Sequence, residues 1–252
     1  MPCPDCDLVI GRHVSFPATR HSVVLGATSG DPDARRRAFA TLVEAYWRPV
    51  YKYLRLKWHA SPEEAEDLTQ GFFARAFEKD FFGSYDSGKA RFRTFLRTCL
   101  DGFVANERKA AGRLKRGGGI QLVPLDFQTA EGELRQHDVA VAADMDEYFE
   151  REWARSLFSI AVERLRAHYA ASGRGKYFEV FERYDLEASA SGEKVTYAEL
   201  AHQLGLNATD VTNYLAAARR QFRALVLEQL RAVTASDEEF RDEARRLLGV
   251  DV

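Results

Sequence analysis

Apolar residues recur every three or four positions through most of this chain, and this spacing restricts what the chain can fold into. In the stretch SPEEAEDLTQGFFARAF, residues 61–77, the apolar positions Ala65, Leu68, Phe72 and Ala76 fall on one side of a helix. Similar patterns occur before and after this stretch. No stretch of useful length alternates apolar and polar residues as a half-buried strand would. The sequence therefore predicts an all-α protein.

The same stretch carries clear signals for the start of a helix. Ser61 is a favourable N-cap residue, Pro62 suits the first helical position, and Glu64 lies three residues after the cap, as in a capping box. The side turned away from the apolar stripe is acidic and polar, and it comprises Glu63, Glu66, Asp67 and Gln70. A solvated helix face is the simplest interpretation of this pattern.

Helical spacing occurs in two regions separated by a segment that lacks it. Pro49 is expected to kink or end the first predicted helix. A cluster of glycine, serine and aspartate from Gly83 to Gly88 predicts a loop between the second and third helices. We predict two helical domains joined by an acidic linker, with these bounds: an irregular extension at 1–32, a first domain at 33–119, the linker at 120–146, a second domain at 147–232 and a helical tail at 233–252.

A net charge of −2 conceals an uneven distribution of charge along the chain. Residues 90–116 contain eight basic and two acidic residues, whereas residues 125–152 contain nine acidic and two basic ones. This asymmetry indicates contact with a polyanion at the basic block and avoidance or mimicry of a polyanion at the acidic one. The alternative for the basic run is a solvated helix end, and the aromatic residues before it are expected to pack in a core.

The most specific local motif is VTYAELAHQLGLNATDVTNYLAAARRQFRALV, residues 195–226. Thr196 and Glu199 are placed to form a capping box, Gly205 permits a left-handed turn, and Asn207 is placed to cap a second helix. Helix, glycine turn and helix in this order form the helix-turn-helix signature, which presents its second helix to the DNA major groove. A plain helical hairpin is the alternative.

Several function classes lack support in the sequence. No apolar run is long enough to span a membrane, the first residues do not resemble a signal peptide, and three cysteines are too few for a disulfide framework, so we expect a cytoplasmic protein. No nucleophile elbow, phosphate loop or metal-binding helix motif is present, so we expect neither an enzyme nor a cofactor. A zinc site is a minor alternative to a flexible tail for Cys3, Cys6, His13 and His21.

Taken in order, these motifs resemble the bacterial extracytoplasmic-function sigma factors, small initiation subunits of RNA polymerase in the sigma-70 class. The stretch LVEAYWRPVYKYLRLKWHASPEEAEDLTQGFFARAF is similar to the opening of sigma region 2, and FRTFL is similar to the F-R-x-W-L of that region. The helix-turn-helix motif is similar to sigma region 4. The resemblance runs from Phe39 to Leu230, and HSVVLGATSGD, the long loop before RFRTFL and LKRGGG resemble a subgroup with extended ends.

The resemblance implies a partner for each feature described above. It implies that Glu63, Glu66, Asp67 and Gln70 dock on the coiled coil of the polymerase β′ subunit, and that the β flap of core polymerase is a further partner. It implies that the loop from Gly83 to Ala90 captures a flipped base of the promoter −10 element and that the linker enters the RNA exit path. An anti-sigma protein is the expected regulator, and phosphorylation of Thr69 is an alternative means of control.

Two sets of residues are implied to bind promoter DNA. The set for the −10 region is Ser84, Tyr85, Asp86, Lys89, Arg91, Arg93, Asn106, Arg108, Lys109, Arg113, Lys115 and Arg116. The set for the −35 region is Asn207, Thr209, Thr212, Asn213, Arg219, Arg220 and Arg223.

The second helix of the helix-turn-helix has Thr212, Asn213, Ala216 and Ala217 where the family usually has arginine, so fewer phosphate contacts are expected there. Two alternatives to a sigma factor therefore remain. One is a stand-alone helix-turn-helix regulator, and the other is a polymerase-binding protein with weakened promoter recognition.

Overall fold

The structure of the protein is a computed structural model that describes residues 31–110, 124–136, 144–187 and 195–252. These ranges contain helices and connecting loops and no strand, which confirms the prediction of an all-α protein. The helices are α1 (Pro32–Lys57), α2 (Pro62–Glu78), α3 (Phe92–Ala110), α4 (Phe127–Gln136), α5 (Met145–Ala171), α6 (Gly175–Phe181), α7 (Tyr197–Leu204), α8 (Ala208–Val233) and α9 (Asp237–Leu248).

Helix α1 begins where its sequence predicts and continues through Pro49. The Asp31 side chain accepts a hydrogen bond from the Asp33 backbone at 3.0 Å, and Pro32 occupies the first helical position. Pro49 lies within the helix, whose 26 residues run to Lys57, so the expected kink or end does not divide it in two. The buried side of α1 packs against α2 and α5 and is the centre of the first core.

Aromatic side chains dominate the first core. Phe39 of α1 contacts Phe77 of α2 and Phe82 of the following turn, with ring centroids 5.1 and 5.5 Å apart. Tyr46 of α1 meets Phe92 at the start of α3 with centroids 5.7 Å apart. These rings are almost entirely buried apart from that of Phe77, so this aromatic packing joins the first three helices into one unit.

A second core forms farther along the chain from parts of four helices. Leu165 and Tyr169 of α5, Phe178 of α6, Leu200 of α7 and Leu215 of α8 all lie within it. The chain between α6 and the loop before α7 continues as a π-helical turn from Glu182 to Glu187. The second core therefore contains the helical pair of the helix-turn-helix motif.

Helices α5 and α8 each contribute to both cores. The first half of α5 places Trp153 and Leu157 in the first core, and the last part of α8 places Leu230 and Val233 there. The other halves of these two helices pack in the second core. The two predicted domains consequently share two long helices, and their cores do not divide at residue 147.

A short helix, α4, occupies part of the segment predicted as an acidic linker. Phe127 packs between Trp47 and Tyr51 of α1, with centroids 5.4 and 5.2 Å apart. Periodicity does not reveal this helix, because Phe127 and Ala130 are its only fully buried residues and ion pairs supply much of its remaining contact with α1. Residues 120–123 and 137–143 of the predicted linker lie outside the described residues.

The carboxylates of α4 pair with the basic residues of α1. Arg55 donates two hydrogen bonds of 2.9 Å to Glu131, and Lys52 donates to Glu133 at 2.6 Å. Lys52 also donates to the buried Glu152 of α5 at 2.7 Å. The hydrogen bond from Arg55 is the main cause that holds the pKa of Glu131 at about 2. The acidic segment thus neutralises a basic stripe of this same protein.

Candidate functional site

The first candidate surface is the acidic side of α2, and its local geometry agrees with the sequence. The Ser61 hydroxyl accepts a hydrogen bond from the Glu64 backbone at 3.2 Å, and Pro62 opens the helix. Ala65 and Phe72 are fully buried on the opposite side. The acidic side comprises positions i, i+3, i+4 and i+7, which form one face, namely the exposed Glu63, Asp67 and Gln70 and the half-buried Glu66.

This face, which we call the α2 acidic face, has few polar contacts with the described residues. Within the described ranges, Glu66, Asp67 and Gln70 form no side-chain hydrogen bond or ion pair. Glu63 accepts a hydrogen bond of 3.0 Å from Ser61, and its pKa is lowered by backbone and Ser61 hydrogen bonds. An exposed face with uncompensated carboxylates is suited to a basic partner.

Thr69 does not lie on this face. Its side chain is fully buried and donates a hydrogen bond of 2.7 Å to the backbone oxygen of Ala65. A kinase therefore has no access to the hydroxyl while α2 is folded, and phosphorylation of Thr69 would require the helix to open locally.

The second candidate surface combines the loop after α2 with the start of α3. Ser84, Asp86 and Lys89 are exposed, and Asp86 accepts a hydrogen bond of 3.0 Å from the Gly88 backbone. Tyr85 is half-buried, and its hydroxyl donates to the backbone oxygen of Ala90 at 3.0 Å. Burial is the main cause that raises the pKa of Tyr85 to about 12. The Tyr85 side chain therefore supports the loop from within.

Arg91 and Arg93 belong to the set that the resemblance assigns to DNA. Both form ion pairs with carboxylates of α5 or α9. Arg93 is only 2% exposed, pairs with Glu150 of α5 and donates to Glu243 of α9 at 2.7 Å. Burial opposes the charge of Arg93, but the hydrogen bond to Glu150 is the largest of the effects that raise its pKa. Arg93 thus joins three helices and is inaccessible to nucleic acid. Arg91 is 43% exposed and pairs with Glu243 at 2.7 Å.

The C-terminal end of α3 carries the remaining described residues of the −10 set. Asn106 and Lys109 are exposed. Arg108 is also exposed, and it donates to the backbone oxygen of Trp58 at 2.6 Å and pairs with Glu64 at 3.3 Å. Arg113, Lys115 and Arg116 lie outside the described residues, so the basic block is seen here only as far as Ala110.

The third candidate surface is the helix pair of α7 and α8, whose caps match the sequence closely. Thr196 and Glu199 form both hydrogen bonds of a capping box, and Gly205 has φ of 64°. Asn207 accepts a hydrogen bond of 2.7 Å from the Asp210 backbone at the start of α8. The predicted helix, glycine turn and second helix are therefore present, with Leu200 and Val211 buried between the two helices.

One exposed stripe of α8 lies opposite its buried side. At 100° per residue, Thr209, Asn213, Arg220 and Arg223 project away from the buried Val211, and all four are exposed. Among described residues, Arg220 and Arg223 form no side-chain hydrogen bond or ion pair. We call these four residues the α8 exposed stripe.

The other members of the −35 set lie beside this stripe or are engaged elsewhere. Asn207 is the cap of α8, and Thr212 donates a hydrogen bond of 3.0 Å to the Ala208 backbone oxygen. Arg219 donates to both oxygens of Asp185 at 2.8 and 2.6 Å. Sequence reasoning missed Asp185, which is 34 residues from Arg219 and has no motif to mark it.

The described ranges contain neither a membrane span nor a metal site. No helix in them is long and apolar enough to cross a membrane. No group of three or more histidine, cysteine, aspartate or glutamate side chains in them is arranged to hold a metal ion. Cys3, Cys6, His13 and His21 lie outside those ranges.

Comparison with known proteins gives one finding. Residues 42–114 match the family model described as Sigma-70 region 2. No curated protein and no solved structure matches the chain. The matched segment covers 73 of the 252 residues and contains α2, the loop after it, all of α3 and most of α1. Residues 42–114 are thus similar to sigma-70 region 2, and this match supports membership of the sigma-70 family through that segment alone.

Proposed function

We propose that this protein is a sigma factor of the extracytoplasmic-function type, which brings bacterial core RNA polymerase to selected promoters and helps to open them. The observation that carries the proposal is the α2 acidic face, which lies within the segment that matches sigma-70 region 2 and in which Glu66, Asp67 and Gln70 form no hydrogen bond or ion pair with the described residues. A sigma-70 region 2 domain supports roles in polymerase binding and promoter melting. The protein acts in this proposal as a non-catalytic subunit in the cytoplasm, without a cofactor.

The α2 acidic face is the proposed contact with the basic coiled coil of the β′ subunit. Asp67 and Gln70 are its most suitable members, because both are exposed and neither side chain forms a hydrogen bond or ion pair with the described residues. Charge complementarity of this kind favours association and fixes the register of the partner.

The loop after α2 and the ends of α3 are the proposed −10 surface. The exposed Ser84, Asp86 and Lys89 are positioned by a loop that Tyr85 anchors to the core. A shaped loop on rigid helices suits the capture of an unstacked base, and exposed cations at Arg91 and Lys109 suit the phosphates. Arg93 is removed from this set because it is buried.

The α8 exposed stripe is the proposed −35 surface, with α7 and α8 as a helix-turn-helix. Asn213 has the donor and acceptor needed to read adenine, and Arg220 and Arg223 are available to phosphates. We retain region 2 within residues 33–119 and region 4 within 147–232 as proposed functional domains, although α5 and α8 contribute to both cores.

A second candidate is a polymerase-binding protein with weakened promoter recognition. The bidentate pair of Arg219 with Asp185 favours it, because this pair occupies one of the few cations near the α8 exposed stripe. A stand-alone helix-turn-helix regulator is the third candidate, and it requires no polymerase contact. An anti-sigma protein remains the proposed regulator of a sigma factor.

The test is a pull-down of core RNA polymerase with the full-length chain. The wild type should bind, and the double variant Asp67→Arg, Gln70→Ala should lose binding, because it places a cation against a basic surface. Glu163→Arg is the matched control, since Glu163 is an exposed carboxylate of α5 that forms no hydrogen bond or ion pair with the described residues. Equal binding by the wild type and the double variant would remove the α2 acidic face from the interface.

A transcription assay then separates the candidates. Promoter-dependent RNA synthesis by polymerase loaded with the wild type supports a sigma factor. Polymerase binding without RNA synthesis on a genomic promoter library supports a polymerase-binding protein with weakened promoter recognition. Duplex binding without polymerase binding supports the stand-alone regulator.

A further inference from the structure

The C-terminal helix α9 packs on the first core beside the start of α3. Phe240 and Ala244 are buried there, and the Arg231 guanidinium of α8 lies 4.9 Å from the centre of the Phe240 ring. Ser236 caps the helix by accepting a hydrogen bond from the Glu239 backbone at 3.1 Å. The contact between α9 and the core is therefore specific, although α9 lies more than 120 residues after the segment that matches sigma-70 region 2.

One carboxylate of α9 is placed among three arginines. Glu243 is fully buried and pairs with Arg91 and Arg93 of the α3 region at 2.7 Å each. It also pairs with Arg246 of its own helix at 2.8 Å. A carboxylate and a backbone phosphate each carry one negative charge and two oxygens that can accept hydrogen bonds from a guanidinium group, so both can pair with the same arginine.

The three arginines differ in whether they pair with a carboxylate other than Glu243. Arg93 and Arg246 each pair with Glu150 of α5 as well. In the described part of the chain, the side chain of Arg91 pairs with Glu243 alone, and it remains 43% exposed. Loss of the charge at residue 243 would consequently remove the ion pair of Arg91, whereas Arg93 and Arg246 would stay paired with Glu150.

The remainder of α9 adds negative charge to the same region. Its first turn contains Asp237, Glu238 and Glu239, and the charge of Glu239 contributes to the raised pKa of Tyr85 in the loop before Arg91. Phosphates that approach the start of α3 thus meet both an occupied arginine and nearby carboxylates.

We propose that α9 is an intramolecular cap on the −10 surface, in which Glu243 competes with the phosphates of the promoter strand for Arg91. This inference rests on the proposed function of that surface. In the free protein the cap is closed, and engagement of single-stranded DNA replaces the Glu243 carboxylate by a phosphate at Arg91. The ligand class is the backbone of a single strand, independent of its base sequence.

The test measures binding of a fluorescein-labelled 20-nucleotide oligothymidylate to the full chain by fluorescence anisotropy across a range of salt concentrations. Glu243→Gln should bind several-fold more tightly than the wild type, and its slope of log affinity against log salt should steepen by roughly 0.7, the value for one further phosphate on a single strand. Glu238→Gln is the matched control, because it removes one charge from an exposed site of the same helix.

Equal affinities and slopes for Glu243→Gln and Glu238→Gln, including no binding by either, would overturn the proposal. The double variant Glu243→Gln, Arg91→Ala should lose the gain, and retention of the gain would also overturn it. Far-UV circular dichroism at the assay temperature checks that each variant is folded.

A measurement on the wild type covers the case in which Glu243→Gln does not fold. Amide hydrogen exchange in residues 237–248 should accelerate when the oligonucleotide is added, because the cap leaves the core. Unchanged exchange at saturating oligonucleotide contradicts a cap. The polymerase pull-down is independent of this result, so its failure removes the proposed function while a gain in Glu243→Gln still supports competition at Arg91.

Discussion

Neutralising Glu131 should loosen α4 from α1, and the size of the effect follows from the pKa of its carboxyl group. Glu131 accepts two hydrogen bonds from Arg55 and one from Tyr51, which lower its pKa from 4.5 to about 2. A difference of about 2.5 pKa units corresponds to about 3 kcal/mol of unfolding free energy at pH 7. This value is an upper limit, because Arg55 is still 24% exposed and the pair is partly screened.

The sign of the pH dependence is fixed by the direction of that shift. The folded protein holds the Glu131 carboxyl ionised more strongly than the unfolded chain, so the stabilisation is complete above pH 4.5 and is lost as the pH falls toward 2. Glu131→Gln should therefore be less stable than the wild type by up to about 3 kcal/mol at pH 7 and by up to about 2 kcal/mol near pH 3.5.

The assay is urea unfolding of both proteins, followed by circular dichroism at several pH values. Glu147→Gln is the matched control, because Glu147 is 68% exposed and its pair with Arg151 measures 3.8 Å, so its loss should change stability little. A difference between Glu131→Gln and the wild type that stays constant from pH 7 to pH 3.5, or a difference no larger than that of Glu147→Gln, would refute the reasoning.

Three further predictions follow from other parts of the fold. Gly205→Ala should lower the unfolding free energy by about 1 kcal/mol, because the backbone φ angle of residue 205 is 64°. Gly102→Ala in the middle of α3 should raise the unfolding free energy by a similar amount, and urea unfolding of both variants is the measurement. Thr69→Glu should lower the midpoint of thermal unfolding sharply, since it buries a carboxylate, whereas the exposed Thr98→Glu should not. Fluorophores at residues 87 and 209 should move apart when the protein binds core polymerase and promoter DNA, and an unchanged transfer efficiency between them contradicts a sigma factor with two separated DNA surfaces.

Local signals in the sequence were sufficient for much of the fold. The caps at Ser61, Thr196 and Asn207 and the turn at Gly205 all depend on residues within four positions of one another, and the structure has each of them. The all-α class follows from the same short-range spacing. Helix α1 does not follow the local rule that proline ends or kinks a helix. Its buried side packs in the first core, and this tertiary packing stabilises the helix on both sides of Pro49.

Local sequence signals do not predict contacts between residues that are far apart in the chain. The pairs Arg93 with Glu243 and Arg219 with Asp185 join positions 150 and 34 residues apart, and no spacing rule connects them. For this reason the sequence does not distinguish Arg93 from the other members of the −10 set, although its guanidinium is buried against Trp153. The sequence likewise predicts a linker for the acidic block, because the partners of that block on α1 lie about 80 residues earlier.

The shared helices α5 and α8 connect this fold to the function proposed for it. Two promoter elements named −10 and −35 are about 25 base pairs apart, or roughly 85 Å at 3.4 Å per base pair. Helix α8 has 26 residues and is about 39 Å long, yet it extends from the α8 exposed stripe into the core beneath the −10 surface.

Helix α8 alone covers less than half of this separation. If the protein is a sigma factor that contacts both elements, we expect the halves of α5 and α8 that pack in the first core to separate from it on the polymerase. The contacts that resist this separation include the buried pairs of Glu150 and Glu243 with the α3 region and the packing of Trp153 on Tyr46. The −10 surface and the −35 surface would then be opened by one event, which is the release of the C-terminal half of the chain from the first core.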